Sequence, residues 1–325
     1  MAKLIFTFSL IVLGLSCGYI YQKLYNNGVA PFSFSIESFQ KKLQKSTLMF
    51  FSPIAILGGT WIIRLDRLRM VALPFMGILL IFIGGFLALF AARYFQLTRK
   101  QTGSYILSGA CSNTGAIGAL VCFIYLGEAG FAVVPLFRLL ELFVFFGIGF
   151  PLAKSYSLDV SEKASFLVSF KKAFTDIFVI IFICSVSIGL LLNLSEIQRP
   201  EIYKTINAIF IPTGSFLLLS SIGMGMKFSK VSVFFKESLL ISVIKFILLP
   251  GIMVSIGYFL GLGKIDNGLP LQVVLILSSM PVAFISMVPP TLYDLDIDLS
   301  NSCWLTSNFL MIIEIPVLMF LIQLF

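Results

Sequence analysis

Histidine is absent from this 325-residue chain, and charged residues make up only 12% of it. Without histidine, the chain has no imidazole for metal ligation, for a Ser-His-Asp triad or for a proton relay. The five cysteines lie inside apolar segments without paired spacing, so neither a metal site nor a disulfide framework is expected. No HExxH pair or serine–base constellation is present either. These absences argue against an enzyme and predict no bound cofactor.

Long apolar runs dominate the sequence instead. Hydrophobic residues make up 58% of the chain, well above the share in soluble domains. A membrane-spanning helix needs about 20 mainly apolar residues. Ten segments meet this requirement, and they predict an all-α, multi-pass protein of the plasma (inner) membrane: 3–25, 42–63, 70–96, 103–126, 130–153, 173–194, 205–226, 237–262, 270–292 and 300–324.

The charge distribution favours the lipid bilayer as partner over nucleic acid. The net charge of +8 comes from cations in short loops beside the ends of the predicted spans, not from a basic patch or tail. In a ten-span arrangement, fourteen Lys and Arg residues lie on one side of the membrane and seven on the other. The positive-inside rule makes the richer side cytoplasmic, so both termini are predicted to lie outside.

The predicted spans fall into two sets of five. The longest polar connection, residues 154–172, is predicted to be a cytoplasmic connector between a first repeat at 1–153 and a second at 173–325. With an odd number of spans in each half, homologous halves must be inverted relative to each other. Prolines at similar places in the two halves support this interpretation: Pro53 with Pro212, and Pro151 with Pro316.

Spans 4 and 9 are predicted to be broken helices. Span 4 carries a polar, glycine-rich patch, and span 9 carries serines and prolines, which disfavour helix. Broken helices are tolerated in membranes only where protein or a wet cavity satisfies the freed backbone groups, and they form transport sites. The alternative is that the glycines serve helix packing and the prolines only kink. The candidate residues are Ser112, Asn113, Thr114 and Gly115 in span 4, and Ser279, Pro281 and Ser286 in span 9.

Four charged residues lie well inside predicted spans, away from the span ends: Arg138, Glu141, Lys245 and Glu314. Such a charge near the bilayer centre costs at least about 2.5–3.5 kcal/mol, so it is usually paired or functional. Arg138 and Glu141 are three residues apart and can form a structural ion pair on one helix face. In the functional interpretation, Arg138 or Lys245 meets an anionic substrate, and Glu141 or Glu314 carries a proton.

Short motifs along the whole chain resemble the auxin efflux carrier family, which includes plant PIN-type exporters and bacterial permeases proposed to carry malate and similar acids. The motifs are Ser112–Gly118 and Gly127–Gly130 in span 4, Pro212 with Ser221–Gly225 in span 7, Lys245 with Pro250 in span 8, and Pro281–Ala283 with Asn301 to Pro316 in spans 9 and 10. Two positions depart from the family pattern. Leu120 stands where the family usually has proline, and Ile285 stands where many members have asparagine.

The resemblance implies the elevator-like fold of the bile/arsenite/riboflavin-type transporter superfamily. In that fold, spans 1, 2, 6 and 7 form a scaffold, while spans 3–5 and 8–10 form a mobile core. Spans 4 and 9 break and cross at mid-membrane, and the substrate binds beside the crossing. By analogy with related folds, a homodimer through the scaffold helices is a further hypothesis.

The favoured function is therefore a secondary transporter that moves a small organic anion, such as a carboxylate, by alternating access. The sequence leaves open whether transport is coupled to protons or to sodium ions. A sodium-coupled organic anion symporter of the bile-acid type is one alternative, and a non-transporting membrane sensor on the same fold is another.

Overall fold

The computed structural model describes residues 2–29, 35–63, 68–157, 174–195, 197–226, 228 and 231–323. Most of the predicted connector at 154–172 lies outside these residues. Regular structure in the described ranges is helical, apart from an isolated β-bridge. The α-helices are α1 (Ala2–Asn26), α2 (Ile36–Ser46), α3 (Ser52–Thr60), α4 (Ala72–Tyr94), α5 (Arg99–Ala110), α6 (Ala119–Arg138), α7 (Glu141–Val144), α8 (Phe150–Tyr156), α9 (Ile177–Leu194), α10 (Ile202–Gly223), α11 (Phe235–Val243), α12 (Leu249–Phe259), α13 (Leu269–Ser278), α14 (Val288–Leu292) and α15 (Ile297–Ile322).

Seven helical stretches among the described residues are long and apolar enough to cross a membrane. They are Ala2–Asn26, Arg69–Tyr94, Thr114–Tyr156, Ile177–Leu194, Ile202–Gly223, Phe235–Phe259 and Ile297–Ile322. The all-helical, multi-pass membrane class is thus confirmed, whereas the ten-span count stays a prediction. Predicted spans 4 and 9 do not form continuous helices, and the later part of span 4 runs into span 5 in one long stretch.

The chain divides into two compact units. Unit 1 comprises residues 1–64, 115–135 and 181–227, and unit 2 comprises 65–114, 136–180 and 228–325. Unit 1 contains predicted spans 1, 2 and 7 and most of span 6. It also contains the later part of span 4, which the family resemblance assigns to the core. The division into scaffold and core stays a prediction.

Within unit 1, α1 packs along α10 at very short range. A side-chain carbon added at Gly18 would overlap the Ser220 carbonyl, and one added at Gly223 would overlap the Leu15 carbonyl. Small residues at these crossings let two helix backbones approach closely, which is a common source of packing energy in membranes.

Within unit 2, α4 packs along α5, and α11 packs against α15. The start of α5 is fixed by a capping box, because Thr98 and Gln101 each accept the other's backbone N–H. The start of α15 is fixed by Asp296, whose side chain accepts the N–H of Leu299 at 2.9 Å. These caps set where the two helices that approach the candidate site begin.

In the described ranges, three of the wide π-helical turns are each followed, two residues later, by a proline. The turns are Thr47–Phe51, Phe145–Gly149 and Ile244–Leu248, followed by Pro53, Pro151 and Pro250. In each case the residue before the proline donates its N–H five residues back, as Leu249 does to Ile244. A proline has no N–H and clashes with the carbonyl four residues earlier, and a wider turn relieves both problems. A fourth turn, Thr114–Gly118, is followed at the same spacing by Leu120.

Candidate functional site

The two predicted helix breaks lie side by side in unit 2. Helix α5 ends at Ala110 and α13 ends at Ser278, and the residues after the two ends meet in an isolated antiparallel β-bridge, with Ser112 opposite Val282. The Asn113 N–H donates to the Pro281 carbonyl at 2.8 Å, and the Ala283 N–H donates to the Cys111 carbonyl at 3.0 Å. Each break therefore satisfies backbone groups that the other frees, as the membrane interior requires.

Helix α15 holds this pairing from a third side. The Val282 N–H donates to the Ser307 hydroxyl at 3.1 Å, and the Asn308 amide donates to the Val282 carbonyl at 3.4 Å. Asn308 also donates to the Trp304 carbonyl of its own helix at 2.8 Å. Sequence reasoning missed Ser307 and Asn308, although two adjacent polar residues inside an apolar span were a usable signal.

A chain of polar side chains runs from the first break to the end of α6. The Thr114 hydroxyl donates to both carboxylate oxygens of Glu141, at 3.0 and 3.2 Å. Arg138 Nε donates to Glu141 Oε2 at 2.8 Å, so the two residues form the ion pair that their spacing allows. Both side chains stay partly exposed, at 25% for Arg138 and 20% for Glu141. Whether either one meets a substrate stays a prediction.

Lys245 reaches the same break from the π-helical turn that precedes Pro250. Its side chain is fully buried, and Nζ donates to the Gly109 carbonyl at 2.5 Å and to the Ser112 hydroxyl at 2.9 Å. Gly109 lies in the last turn of α5, where carbonyl groups without helical partners carry a partial negative charge that favours a cation. The predicted candidates Ser112, Asn113, Thr114, Pro281, Arg138, Glu141 and Lys245 are thus close together.

Three other candidates are buried in unit 2 but lie outside this network. The Ser279 and Ser286 hydroxyls have no hydrogen-bond partner among the described residues, and the Glu314 carboxyl lies on α15. None of their side-chain hydrogen bonds in the described ranges reaches Ser112, Thr114 or Glu141. The remaining candidate, Gly115, belongs to unit 1. It is the first residue of the unit 1 segment 115–135, which contains most of α6 and most of the turn before it.

A cavity of about 240 Å³ lies next to the breaks within unit 2. Its walls come from α4, α5 and residues 141–156, with Cys111 and Ile285 contributed by the two breaks. Among the described residues that line it, Glu141 is the only charged one, and the others are mainly aliphatic and aromatic: Ile81, Phe82, Gly85, Phe86, Leu89, Ile106, Leu107, Ala110, Leu142, Val144, Phe145, Ile148, Gly149, Leu152 and Tyr156. Pockets of this composition bind small molecules with an apolar body.

A second charged cluster, which sequence reasoning also missed, lies in unit 1. Glu128 accepts two hydrogen bonds from the Arg199 guanidinium, at 2.8 and 3.0 Å, and one from the Asn207 amide at 2.8 Å. Arg199 also donates to the Gly58 carbonyl at 2.9 Å. The preceding residue, Gly127, has φ 72° and ψ −164°, a conformation essentially restricted to glycine, and it kinks α6 there. The cluster ties this kink to α3 and α10.

The fold and the paired breaks define a multi-pass helical membrane protein with an internal polar site. None of the known protein-family models matches the chain. The chain is 28% identical over 242 residues to an uncharacterized transporter of the archaeon Methanocaldococcus jannaschii, and the alignment covers 72% of this chain and 73% of that protein. This distant homology assigns no family, so the resemblance to auxin efflux carriers stays a prediction.

Proposed function

We propose that the chain is a secondary transporter, similar to the auxin efflux carriers, that moves a small organic anion across the membrane by alternating access. The observation that carries the proposal is the mutual pairing of two helix breaks through Asn113–Pro281 and Ala283–Cys111 hydrogen bonds. Discontinuous helices that meet inside a membrane are typical of secondary transporters, where they form the substrate site. The distant homologue, which is named a transporter, supports the same class.

The second break offers hydrogen-bond donors that suit an anion with an apolar body, and the Arg138 guanidinium offsets the charge of Glu141 in the cavity wall. In unit 2 the chain resumes helix after the second break at Phe284–Met287 and continues into α14, and the N-terminal end of a helix favours a carboxylate. The buried Ser286 hydroxyl lies in this first turn and can donate to the same group. Its neighbour Ile285 lines the apolar cavity, which would hold the rest of the molecule.

The proposed architecture is ten spans in two inverted repeats, with elevator-type motion of spans 3–5 and 8–10. The grouping of spans 1, 2 and 7 and most of span 6 in one compact unit supports this division. The later part of span 4 groups with them, so the boundary between moving and fixed parts would run through the first break, at Thr114–Gly115.

Flux measurements in proteoliposomes test this function. A panel of labelled organic anions, from hydrophobic monocarboxylates to small dicarboxylates, is offered with imposed proton or sodium gradients. We expect saturable uptake of at least one monocarboxylate. Saturable binding without any flux would favour the sensor alternative. If neither binding nor flux is observed for any anion, the proposal is contradicted.

A further inference from the structure

Lys245 is the most deeply buried charged side chain at the paired breaks. It is fully excluded from solvent, and among the described residues it has no ion-pair partner. A buried ammonium group is costly unless other groups satisfy its donors. Here the partners are the Gly109 carbonyl at 2.5 Å and the Ser112 hydroxyl at 2.9 Å. An alkali cation bound at this place would need the same kind of oxygen ligands.

The position of these ligands explains why a cation is stable there. Gly109 lies one residue before the C-terminus of α5, so its carbonyl belongs to the negative end of the helix dipole. Ser112 follows in the break itself, opposite Val282. The Glu141 carboxylate adds an electrostatic attraction at longer range. Because Arg138 already offsets the charge of Glu141, the Gly109 carbonyl and the Ser112 hydroxyl are the main groups that stabilise a cation here.

We propose that the Lys245 amine is a tethered cation that occupies the alkali-cation position at the first break, so that transport by this chain requires no sodium ion. This inference rests on the proposed transport function and decides between two of its variants. In a sodium-coupled carrier, broken-helix carbonyls of this kind bind the coupling ion. Here the lysine side chain already occupies one such carbonyl and the adjacent hydroxyl.

The first arm of the test uses the native chain in proteoliposomes with the anion that the flux panel identifies. Replacing sodium by choline at constant ionic strength should change uptake by less than about twofold, because both salts screen surface charges equally. Loss of uptake on sodium removal would overturn the proposal.

The second arm replaces the cation. Lys245→Met keeps the length of the side chain but removes its charge, and we expect uptake to fall about tenfold or more, as expected for losing a hydrogen bond from a charged group. Lys236→Met, at an exposed position in α11, is the matched control and should keep native uptake. In Lys245→Ala, which leaves space, added sodium or ethylammonium should restore part of the uptake. If Lys245 were purely structural, added cations would not restore uptake. Uptake at the native rate in Lys245→Met would contradict the proposal that Lys245 acts as a tethered cation.

The third arm does not depend on transport. Equilibrium binding of radioactive sodium to the purified protein should be absent in the native chain and present in Lys245→Ala. Sodium binding by the native chain would overturn the proposal even if an anion is transported. If no anion is transported, the proposed function fails. The binding measurement still shows whether Lys245 occupies a position that sodium would otherwise take. If the Lys245 variants do not fold, the sodium-binding result for the native chain alone supports or overturns the inference.

Discussion

At the scale of single residues, close packing in unit 2 depends on the absence of side chains at two facing positions. A carbon added at Gly84 of α4 would overlap the Gly109 carbonyl, and one added at Gly109 would overlap the Gly84 carbonyl and Ala88. The same Gly109 carbonyl accepts the hydrogen bond from Lys245. Packing of α4 on α5 and placement of the lysine therefore depend on the same short segment.

Gly109→Ala should destabilise the protein by about 1–3 kcal/mol, because the added methyl group meets backbone atoms that cannot move aside. Gly251→Ala is the matched control, since a carbon added at Gly251 in α12 meets nothing within 4 Å. It should leave stability unchanged or raise it by up to about 1 kcal/mol through helix propensity. Thermal unfolding of the two purified variants in detergent measures the difference, and equal unfolding temperatures would contradict this account of the packing.

Sequence reasoning named many of the residues that the structure brings together, but it did not name their hydrogen-bond partners. Arg138 and Glu141 could be paired from their three-residue spacing, although the structure places them on either side of the turn between α6 and α7 and not on one helix. The partner of Lys245 could not be predicted, because it is a backbone carbonyl 136 residues away that becomes available only where α5 ends. The same holds for Ser307 and Asn308, whose role depends on the unpaired peptide of Val282.

At the scale of elements, the π-helical turns connect sequence to site geometry. The turn at Ile244–Leu248 carries Lys245, and its wide geometry follows from Pro250. The turn at Thr114–Gly118 forms without a proline, directly after the hydrogen-bonded break. The fully buried Leu120 stands where the other three turns have proline, which is also where the resembled family usually has one.

Leu120→Pro should therefore fold, with a loss of stability of about 1–3 kcal/mol from the removed buried side chain. Ile124→Pro, one turn later on the same face of α6, should cost about 3 kcal/mol more, because a proline in the helix interior removes a hydrogen bond and clashes with the preceding turn. Both side chains are buried, so the comparison isolates the backbone effect. Similar unfolding temperatures for the two variants, or the reverse order, would refute this equivalence of Leu120 with the prolines.

The positions of the breaks could be predicted from glycine, serine and proline content, whereas their pairing could not. The structure ends α5 at Ala110 and α13 at Ser278, inside the patches that the sequence marks as poor helix. Pairing between segments about 170 residues apart requires tertiary packing that no local pattern encodes. The prolines matched between the two halves also differ in effect, since π-helical turns precede Pro53 and Pro151 but helix continues through Pro212 and Pro316.

At the scale of the whole molecule, composition alone predicted the membrane class. Runs of about 20 apolar residues have few alternatives to crossing a bilayer, and seven continuous candidates are present in the described ranges. The division into compact units was harder to predict from the sequence. Unit 1 includes residues 115–135, although the first break separates them from α5, which forms the earlier part of predicted span 4. The orientation of the termini, which rests on the count of loop cations, stays a prediction.

The central claim, that the paired breaks form the transport site, is tested most directly by anion uptake into proteoliposomes containing Thr114→Val. The variant keeps the shape of the side chain but removes the hydrogen bonds to Glu141, and hydrogen bonds to charged groups contribute about 1.5–3 kcal/mol. The control is Thr60→Val in unit 1, where the hydroxyl donates only within its own helix, to Ile56 and Leu57. We predict that uptake falls about tenfold or more in Thr114→Val and stays native in Thr60→Val. Native uptake in a folded Thr114→Val protein, or equal losses in both variants, would contradict the account.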